Sequence, residues 1–312
     1  MKSYIIKRIL YLFPILFLIS ILAFAMSYYS PSDPVRAKYS RMGVSVDETV
    51  IEKERESLGL NDSFFVRYGR WLKGVLHGDL GESYTYGSDV TKEFARRIPR
   101  TMQLAGASML LMIIISFPFG ILSAVYQNKW IDYLLRFYSF VGISMPSFWV
   151  GTLLMYLFGV KLKVLPVVGS GDLKHLILPS LSLAFWLSSL YIRRLRGSML
   201  EELNQDYVKG CVSRGVSVRR AILCHVVPNS LISIVTMLGM SIGNLFGGAT
   251  IVETIFEWNG VGKMAVDAVS YRDYPVIQGY VLWMAFIYVL VNLLVDISYQ
   301  FLDPRIRLGE KK

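Results

Sequence analysis

Residues 104–126, LAGASMLLMIIISFPFGILSAVY, contain no charged side chain. The hydrocarbon core of a bilayer is crossed by a helix of about 20 apolar residues, so this stretch reads as a membrane span. Working outward, five more segments read the same way: 9–29, 137–160, 176–192, 231–252 and 276–302. The composition agrees. Of 312 residues, 54% are hydrophobic and only 18% charged, whereas a soluble domain carries about a quarter charged residues. Mean hydropathy is +0.45. The expected fold class is therefore an all-α membrane protein with six transmembrane helices.

Three of the later spans carry prolines. Pro118 lies in the second, Pro146 in the third within Ser144-Met145-Pro146-Ser147-Phe148-Trp149, and Pro179 near the start of the short fourth. Such breaks are tolerated where neighbouring helices or a water-filled path satisfy the freed backbone groups. Each is read here as a packing kink rather than a gate. In the first span, Lys2, Lys7 and Arg8 precede the apolar run, and Ala23-Phe24-Ala25 resembles a signal-peptidase site. The run continues apolar to Tyr29, long enough to span, and a retained helix is expected.

The formal net charge of +10 suggests a nucleic-acid partner until the charges are located. With the N-terminus inside, segments 1–8, 127–136, 193–228 and 303–312 hold 16 Lys and Arg, against 5 in the short outside loops 161–175 and 253–275. The 30–100 stretch holds the other 12, balanced by 11 acids, and long translocated regions are nearly exempt from the positive-inside rule. The charge is a topology signal that puts both termini in the cytoplasm. No nucleic-acid partner is implied.

Three regions outside the lipid carry information. The 30–100 stretch looks folded and helical. Residues 47–58 form one helix, Gly59 supplies a left-handed cap, and Asn61 or Asp62 caps a second. In that second helix Phe65, Tyr68, Leu72, Val75 and Leu76 recur at helical spacing. Gly78-Asp79-Leu80-Gly81 is a turn, and Ser88 caps a short helix ending before Pro99. The region is equally a lid over helix ends and a docking surface for an extracytoplasmic partner. The second region, 193–228, is the longest inside loop. Arg193, Arg194 and Arg196 mark the exit from the membrane, a helical stretch covers 199–209, and a second helix covers 218–227. Gly215 suits a left-handed turn between them, with Ser217 as N-cap. Such a loop can be a basic surface facing anionic headgroups, but its ordered helix–glycine–helix pattern favours a protein partner. The third region is the fifth span, with Gly239, Gly243 and Gly247 at four-residue intervals. That spacing lets another helix approach closely, either within this chain or from a second subunit. The alternative is a pathway wall with Asn244 as its polar lining.

Catalytic chemistry is missing. Gly260-Val261-Gly262-Lys263-Met264 falls short of a phosphate-binding loop, because Glu257 stands where the first glycine is needed and Met264 where Ser or Thr is needed. Cys211 and Cys224 are too few for a disulfide framework and show no metal-ligand spacing, and His77, His175 and His225 lie far apart. No catalytic residue, cofactor or metal site is expected. Asp296, near the inner end of the last span, is the main intramembrane acid. A proton-coupled transporter normally places such groups nearer the midplane.

The inside loop, Glu202-Leu-Asn-Gln-Asp-Tyr-Val-Lys-Gly-Cys-Val-Ser-Arg-Gly-Val-Ser217 followed by His225-Val-Val-Pro-Asn-Ser-Leu231, resembles the EAA loop of binding-protein-dependent ABC importer permeases. More narrowly, the chain resembles the first permease type of the dipeptide/oligopeptide/nickel family. Matching stretches run its whole length in one order. They include Lys7-Arg8, Ser32-Asp33-Pro34, Leu58-Gly59-Leu60, Gly78-Asp79-Leu80-Gly81, Ser144-Met145-Pro146-Ser147-Phe148-Trp149 and Ile177-Leu178-Pro179. Further on come Glu253-Thr254-Ile255-Phe256, Gly260-Val261-Gly262, Arg272-Asp273-Tyr274-Pro275-Val276-Ile277-Gln278 and Asp303-Pro304-Arg305-Ile306-Arg307.

The resemblance implies a type I ABC importer permease fold and a non-catalytic membrane subunit of the cytoplasmic (inner) membrane. The implied partners are a second permease subunit, two ATP-binding subunits at the cytoplasmic face and an extracytoplasmic substrate-binding protein, within membrane lipid. It also implies that the loop docks on the ATPase through Asp206, Tyr207, Arg214 and Gly215. The chain departs from the family around Gly210 and Cys211, where Ala or a similar small residue is frequent, at Ser213-Arg214-Gly215, where Ala-Lys-Gly is frequent, and at Pro228, where Arg is frequent. The division implied is 1–29 for the N-terminus and first span, 30–100 for the extracytoplasmic helical region, 101–302 for the permease core and 303–312 for a cytoplasmic tail. The loop between the third and fourth spans is short, as in nickel and glutathione permeases. The implied cargo is nickel, as a chelate, or small peptides. The competing reading is an ion-coupled secondary transporter working alone.

Overall fold

The polar stretches between the apolar segments fold as helices too. In the computed structural model, which describes the backbone of residues 2–30, 33–41 and 43–302, side chains are described except at 2–9, 11, 37, 38, 40, 41, 232, 233, 235, 236, 240, 244 and 296–302. In chain order the helices are α1 (Lys2–Tyr28), α2 (Pro34–Arg41), α3 (Glu48–Ser57), α4 (Phe64–Leu76), α5 (Val90–Val125), α6 (Trp130–Ser144) and α7 (Ser147–Leu154). After them come α8 (Leu173–Leu203), α9 (Asp206–Ser213), α10 (Val218–Ala221), α11 (Val227–Ile255), α12 (Val261–Tyr271) and α13 (Tyr274–Leu302). Two π-helical segments, Met155–Lys161 and Ile222–Val226, extend α7 and join α10 to α11. The described residues form no strand beyond one isolated bridge, Glu82 to Asp89. By their described residues α5, α8, α13 and the bent α6–α7 pair are long and apolar enough to cross a membrane. Helices α1 and α11 cover the two remaining expected spans.

Several expectations are corrected. The helix expected to begin at Ser88 and stop before Pro99 instead starts at Val90 and runs without a break through Pro99 and Pro118 to Val125. Its first turn is capped by Asp89, whose Oδ1 accepts from the Thr91 amide at 2.8 Å. The fourth span, read as 176–192, runs on to Leu203, carrying the three arginines into the loop on a continuous helix. The third span begins at Trp130 and is broken at Pro146, where its two halves bend by 105°. That is more than a packing kink. The pre-proline residue Met145 is extended (φ −97°, ψ 131°), as the clash with the proline ring demands. Helix α4 is capped at Ser63 rather than Asn61 or Asp62, and Asp62 instead accepts from Arg70 Nη2 at 2.6 Å. Helices α2 and α12 were not expected.

The chain divides into two compact units. One comprises residues 1–101 and 259–290. In it Phe24 of α1 lies 5.5 Å, ring to ring, from each of Phe64, Tyr68 and Trp71 of α4. Ser20 and Tyr68 share a buried hydrogen bond of 2.8 Å. A second cluster joins Val90 and Phe94 to Val261, Met264, Ala268 and Val276. Asp273, fully buried between α12 and α13, accepts from Ser83 Oγ at 2.6 Å and the Thr85 amide at 2.8 Å through one oxygen. That bond ties the turn around Ser83 to the start of α13. A cavity of about 600 Å³ in this unit is walled by Trp71, Tyr84, Tyr86 and Arg67.

The other unit comprises residues 102–258 and 291–312 and is built around α8. Its main core packs Tyr191, Leu187, Leu195 and Met199 of α8 with Met112 of α5 and Ile234 and Leu245 of α11. Helix α6 approaches α8 so closely that a Cβ on Gly142 would overlap Ser189. Tyr191 and Ser241 share a buried 2.7 Å hydrogen bond across the α8–α11 contact.

Candidate functional site

The 193–228 loop is continuous with the core at both ends. Helix α8 leads into it, and α10 passes through the π segment Ile222–Val226 directly into α11. Pro228 in the first turn of α11 has no amide hydrogen to donate, and the widened π turn before it is where the helix register slips. The helix expected over 218–227 is thus the root of the fifth span rather than a separate element. Between α8 and α10 lies α9. Its C-terminus closes as a Schellman turn: the Gly215 amide donates to Val212 O at 2.9 Å and the Val216 amide to Cys211 O at 3.2 Å. Gly215 has φ +87°, the left-handed conformation that glycine takes without strain. Ser217 occupies the N-cap position as expected, but its side chain makes no cap hydrogen bond.

The four residues carried over for docking have different surroundings. The Asp206 side chain is fully exposed in the first turn of α9, paired with Lys209 Nζ at 3.0 Å. Its negative charge complements the helix dipole. Arg214 caps the C-terminus of α9, exposed, and Gly215 has open space around it. Tyr207 turns back toward the chain. Its hydroxyl donates to Glu202 Oε2 at 2.7 Å and accepts from Asn229 Nδ2 at 3.2 Å. It thereby bridges the end of α8 and the start of α11. Partial burial, and then the bond to Glu202, raise its pKa, so it stays a neutral donor at physiological pH. Beneath it Val208 and Ile222 enter the same buried cluster as Tyr191 and Leu195. The loop therefore presents Asp206, Arg214 and Gly215 outward while Tyr207 and Val208 fasten it to the spans.

The glycine row on α11 is split. A Cβ on Gly239 would overlap Val295 of α13, so this glycine serves packing within the chain. Gly247 is exposed, with nothing within 4 Å of a built Cβ. Gly243 is partly buried, and the side chain of Asn244 lies outside the described residues, as does that of Asp296.

A constellation that the sequence reading missed sits at the base of α6. Asp132 is wholly buried and accepts from Arg196 Nε at 2.7 Å, Arg196 Nη2 at 2.8 Å, Ser123 Oγ at 2.6 Å and the Asn128 amide at 2.9 Å. From the sequence, Arg196 reads only as a marker of the membrane exit, and Asp132 carries no signal of its own. Nothing in the spacing pairs residues 64 positions apart. No group of three or more His, Cys, Asp or Glu side chains suited to a metal ion occurs among the described residues.

Long apolar helices with a helix–glycine–helix loop packed against their core define a helical membrane protein. The chain belongs to the binding-protein-dependent transport system inner membrane component family, whose model matches residues 116–308, with the family's N-terminal model matching residues 1–105. It is 38% identical over 307 residues to the glutathione transport system permease protein GsiC of Salmonella paratyphi A, covering 98% of this chain and 99% of that one. It is 35% identical over 320 residues to the probable D,D-dipeptide transport system permease protein DdpB of Escherichia coli K12, covering 93% of each. Among solved structures, the inward-facing MetNI methionine ABC transporter superposes with a TM-score of 0.56 at 14% identity, covering 68% of this chain and 96% of that one. An amino acid ABC transporter superposes with a TM-score of 0.53 at 16% identity, covering 69% and 94%. The protein is a non-catalytic, multi-pass inner-membrane permease subunit of an ABC importer with the type I fold, of the dipeptide/oligopeptide family. ATPase subunits and a substrate-binding protein are its implied partners.

Proposed function

We propose that this permease moves small peptides, glutathione-sized ones included, into the cytoplasm as one half of a heterodimer with a second permease subunit. Both termini are cytoplasmic in this reading, residues 30–100 are extracytoplasmic, and 101–302 form the transport core. The loop 193–228 docks on an ATPase subunit through Asp206, Arg214 and Gly215, with Tyr207 holding the docked helix to the spans. ATP draws the two ATPases together, α9 moves with them, and differential contacts in the two states switch the spans between inward and outward opening. The exposed Gly247, with the partly buried Gly243, faces the second permease or the pathway, and Gly239 keeps α13 close.

The observation that carries this reading is the continuity from the exposed tip of α9 through Val208 and Ile222 into the core around Tyr191. The peptide cargo is supported by the relatives' names, read over nearly the full chain. Nickel, as a chelate, is the second reading. It rests on the short 161–175 loop and on the Ser144–Trp149 and Asp273–Gln278 stretches. The test is gentle purification of the tagged chain from its own membranes, followed by mass spectrometry. A second permease, ATPases and a peptide-loaded binding protein are the expected companions. A binding protein loaded with chelated nickel would replace the peptide reading. Recovery of the chain alone, still moving solute in liposomes without ATP, would overturn the docking role.

A further inference from the structure

At the inner ends of α6 and α8 lies a cavity of about 580 Å³ whose wall changes character along α6. At its mouth stand Arg136, Arg193 and Tyr133, all exposed. Further along α6 the lining turns apolar with Phe137, Phe140 and Ile143, of which Phe137 is 65% and Phe140 70% exposed. The two helices run in opposite directions across the bilayer, so residues early in α6 and late in α8 share one membrane face. From Arg136 to Ile143 the helix rises about 10 Å, roughly the distance from a headgroup to the upper acyl chain. The nearby acid, Asp132, is consumed by Arg196. Arg136 and Arg193 have no ion-pair partner among the described residues. Arg136 lies instead over the Tyr133 ring at 5.6 Å. Two uncompensated guanidinium groups over an aromatic, apolar slot match a phosphodiester headgroup attached to an acyl chain.

We propose that this cavity is a binding site for an anionic phospholipid of the cytoplasmic leaflet, held by Arg136 and Arg193 at the phosphate with its acyl chain along Phe137 and Phe140. The site rests on the orientation given above. The bound lipid braces α6 against α8 next to the Asp132–Arg196 pair, where α8 leads into the coupling loop.

The test uses the complete transporter in nanodiscs containing phosphatidylcholine with a minor share of phosphatidylglycerol. Native mass spectrometry reads the lipid retained. Wild type is expected to keep phosphatidylglycerol over phosphatidylcholine by about thirtyfold, on the order expected for two basic groups at a surface. R136Q/R193Q is expected to lose that preference while remaining assembled, and R136K/R193K to recover part of it. Arg196 is left intact so that the variants fold. Equal retention of both lipids by wild type, or an undiminished preference in R136Q/R193Q, would overturn the proposal. Displacement of the phosphatidylglycerol by millimolar inorganic phosphate would reassign the site to the free anion. A photo-crosslinker at Phe140 that labels the second permease instead of lipid would show a protein interface there. R193C should be labelled by an impermeant thiol reagent from the cytoplasmic side, and labelling only from the opposite side would overturn the orientation and the site with it.

Discussion

Arg196 grips Asp132 with both prongs of its guanidinium, Nε to Oδ1 at 2.7 Å and Nη2 to Oδ2 at 2.8 Å, and the carboxylate they hold has no exposure to solvent. Planar two-point pairing of this kind is stronger and more directional than a single ion pair. Ser123 and the Asn128 amide supply two further donors, so every strong acceptor direction of Asp132 is used. The pair binds α8 to α6 and, through Ser123, to the end of α5.

Replacing Asp132 by Asn leaves Arg196 facing a neutral group in a site where 19% of its side chain remains exposed. Removing one partner of a buried pair costs about 3–5 kcal/mol, and the partial exposure of Arg196 puts D132N toward the lower end of that range. The expected result is a clear fall in the unfolding temperature of the detergent-purified complex. D132N/R196Q should lose less than the sum of the single variants. Additive losses would show that the two residues act independently.

Gly215 is constrained by its backbone rather than by space. Its φ of +87° costs an ordinary L-residue about 1–2 kcal/mol, and less for Asn, which visits this region readily. G215V should therefore weaken recovery of the ATPase subunits with the tagged chain while membrane insertion stays normal. G215N should assemble close to wild type. Equal behaviour of the two variants in the pull-down would place the constraint in a contact instead.

Much of this was legible from residue order. Long uncharged runs, the Gly59 and Gly215 turns and the loop between the fourth and fifth spans follow from local rules that act over one or two helical turns. Less legible were features set by distant partners. Pro99 and Pro118 sit inside a continuous helix, whereas Pro146 bends its helix by 105°, and no local rule distinguishes them. The Asp132–Arg196 pair and the Asp273–Ser83 bond span 64 and 190 positions. Tyr207 entered the sequence reading as a docking residue, yet its hydroxyl points to Glu202 and Asn229, which only the fold reveals.

That geometry makes Tyr207 a positioning residue. Y207F removes two hydrogen bonds, each worth about 0.5–1.5 kcal/mol, and leaves the ring in place. Assembly should persist, while ATP hydrolysis becomes less responsive to the loaded binding protein. An ATPase response equal to wild type would show that the Glu202–Tyr207–Asn229 bridge plays no part in coupling.

Tyr84, outside the spans, has its phenol pushed up to about 12 by burial, against an ordinary value of 10.0. Between these values the unfolded chain has already released the proton that the folded chain still holds. Stability must then fall as pH rises through that window, with no slope from this group below about 10. In a comparison of unfolding temperatures at pH 9 and 11, Y84F should lose less than wild type. Parallel losses would remove Tyr84 from the account of the alkaline transition.

Gly142 supplies the closest test of the α6–α8 contact. A Cβ there would collide with both Oγ and Cβ of Ser189, and Phe185 lies just beyond at 3.3 Å. Ser189 is fully buried, and its hydroxyl bonds back to Phe185 O at 2.8 Å, so it has no free direction in which to retreat. G142A therefore forces the helices apart, and overpacking of this size costs about 1–3 kcal/mol. The strain would fall on the segment that also holds Asp132 and Arg196. Removing the opposing side chain should relieve it: S189G in the G142A background is expected to restore most of the lost unfolding temperature, although S189G alone destabilises by opening a void. If the double variant is no more stable than G142A, the two helices do not meet at this pair of residues.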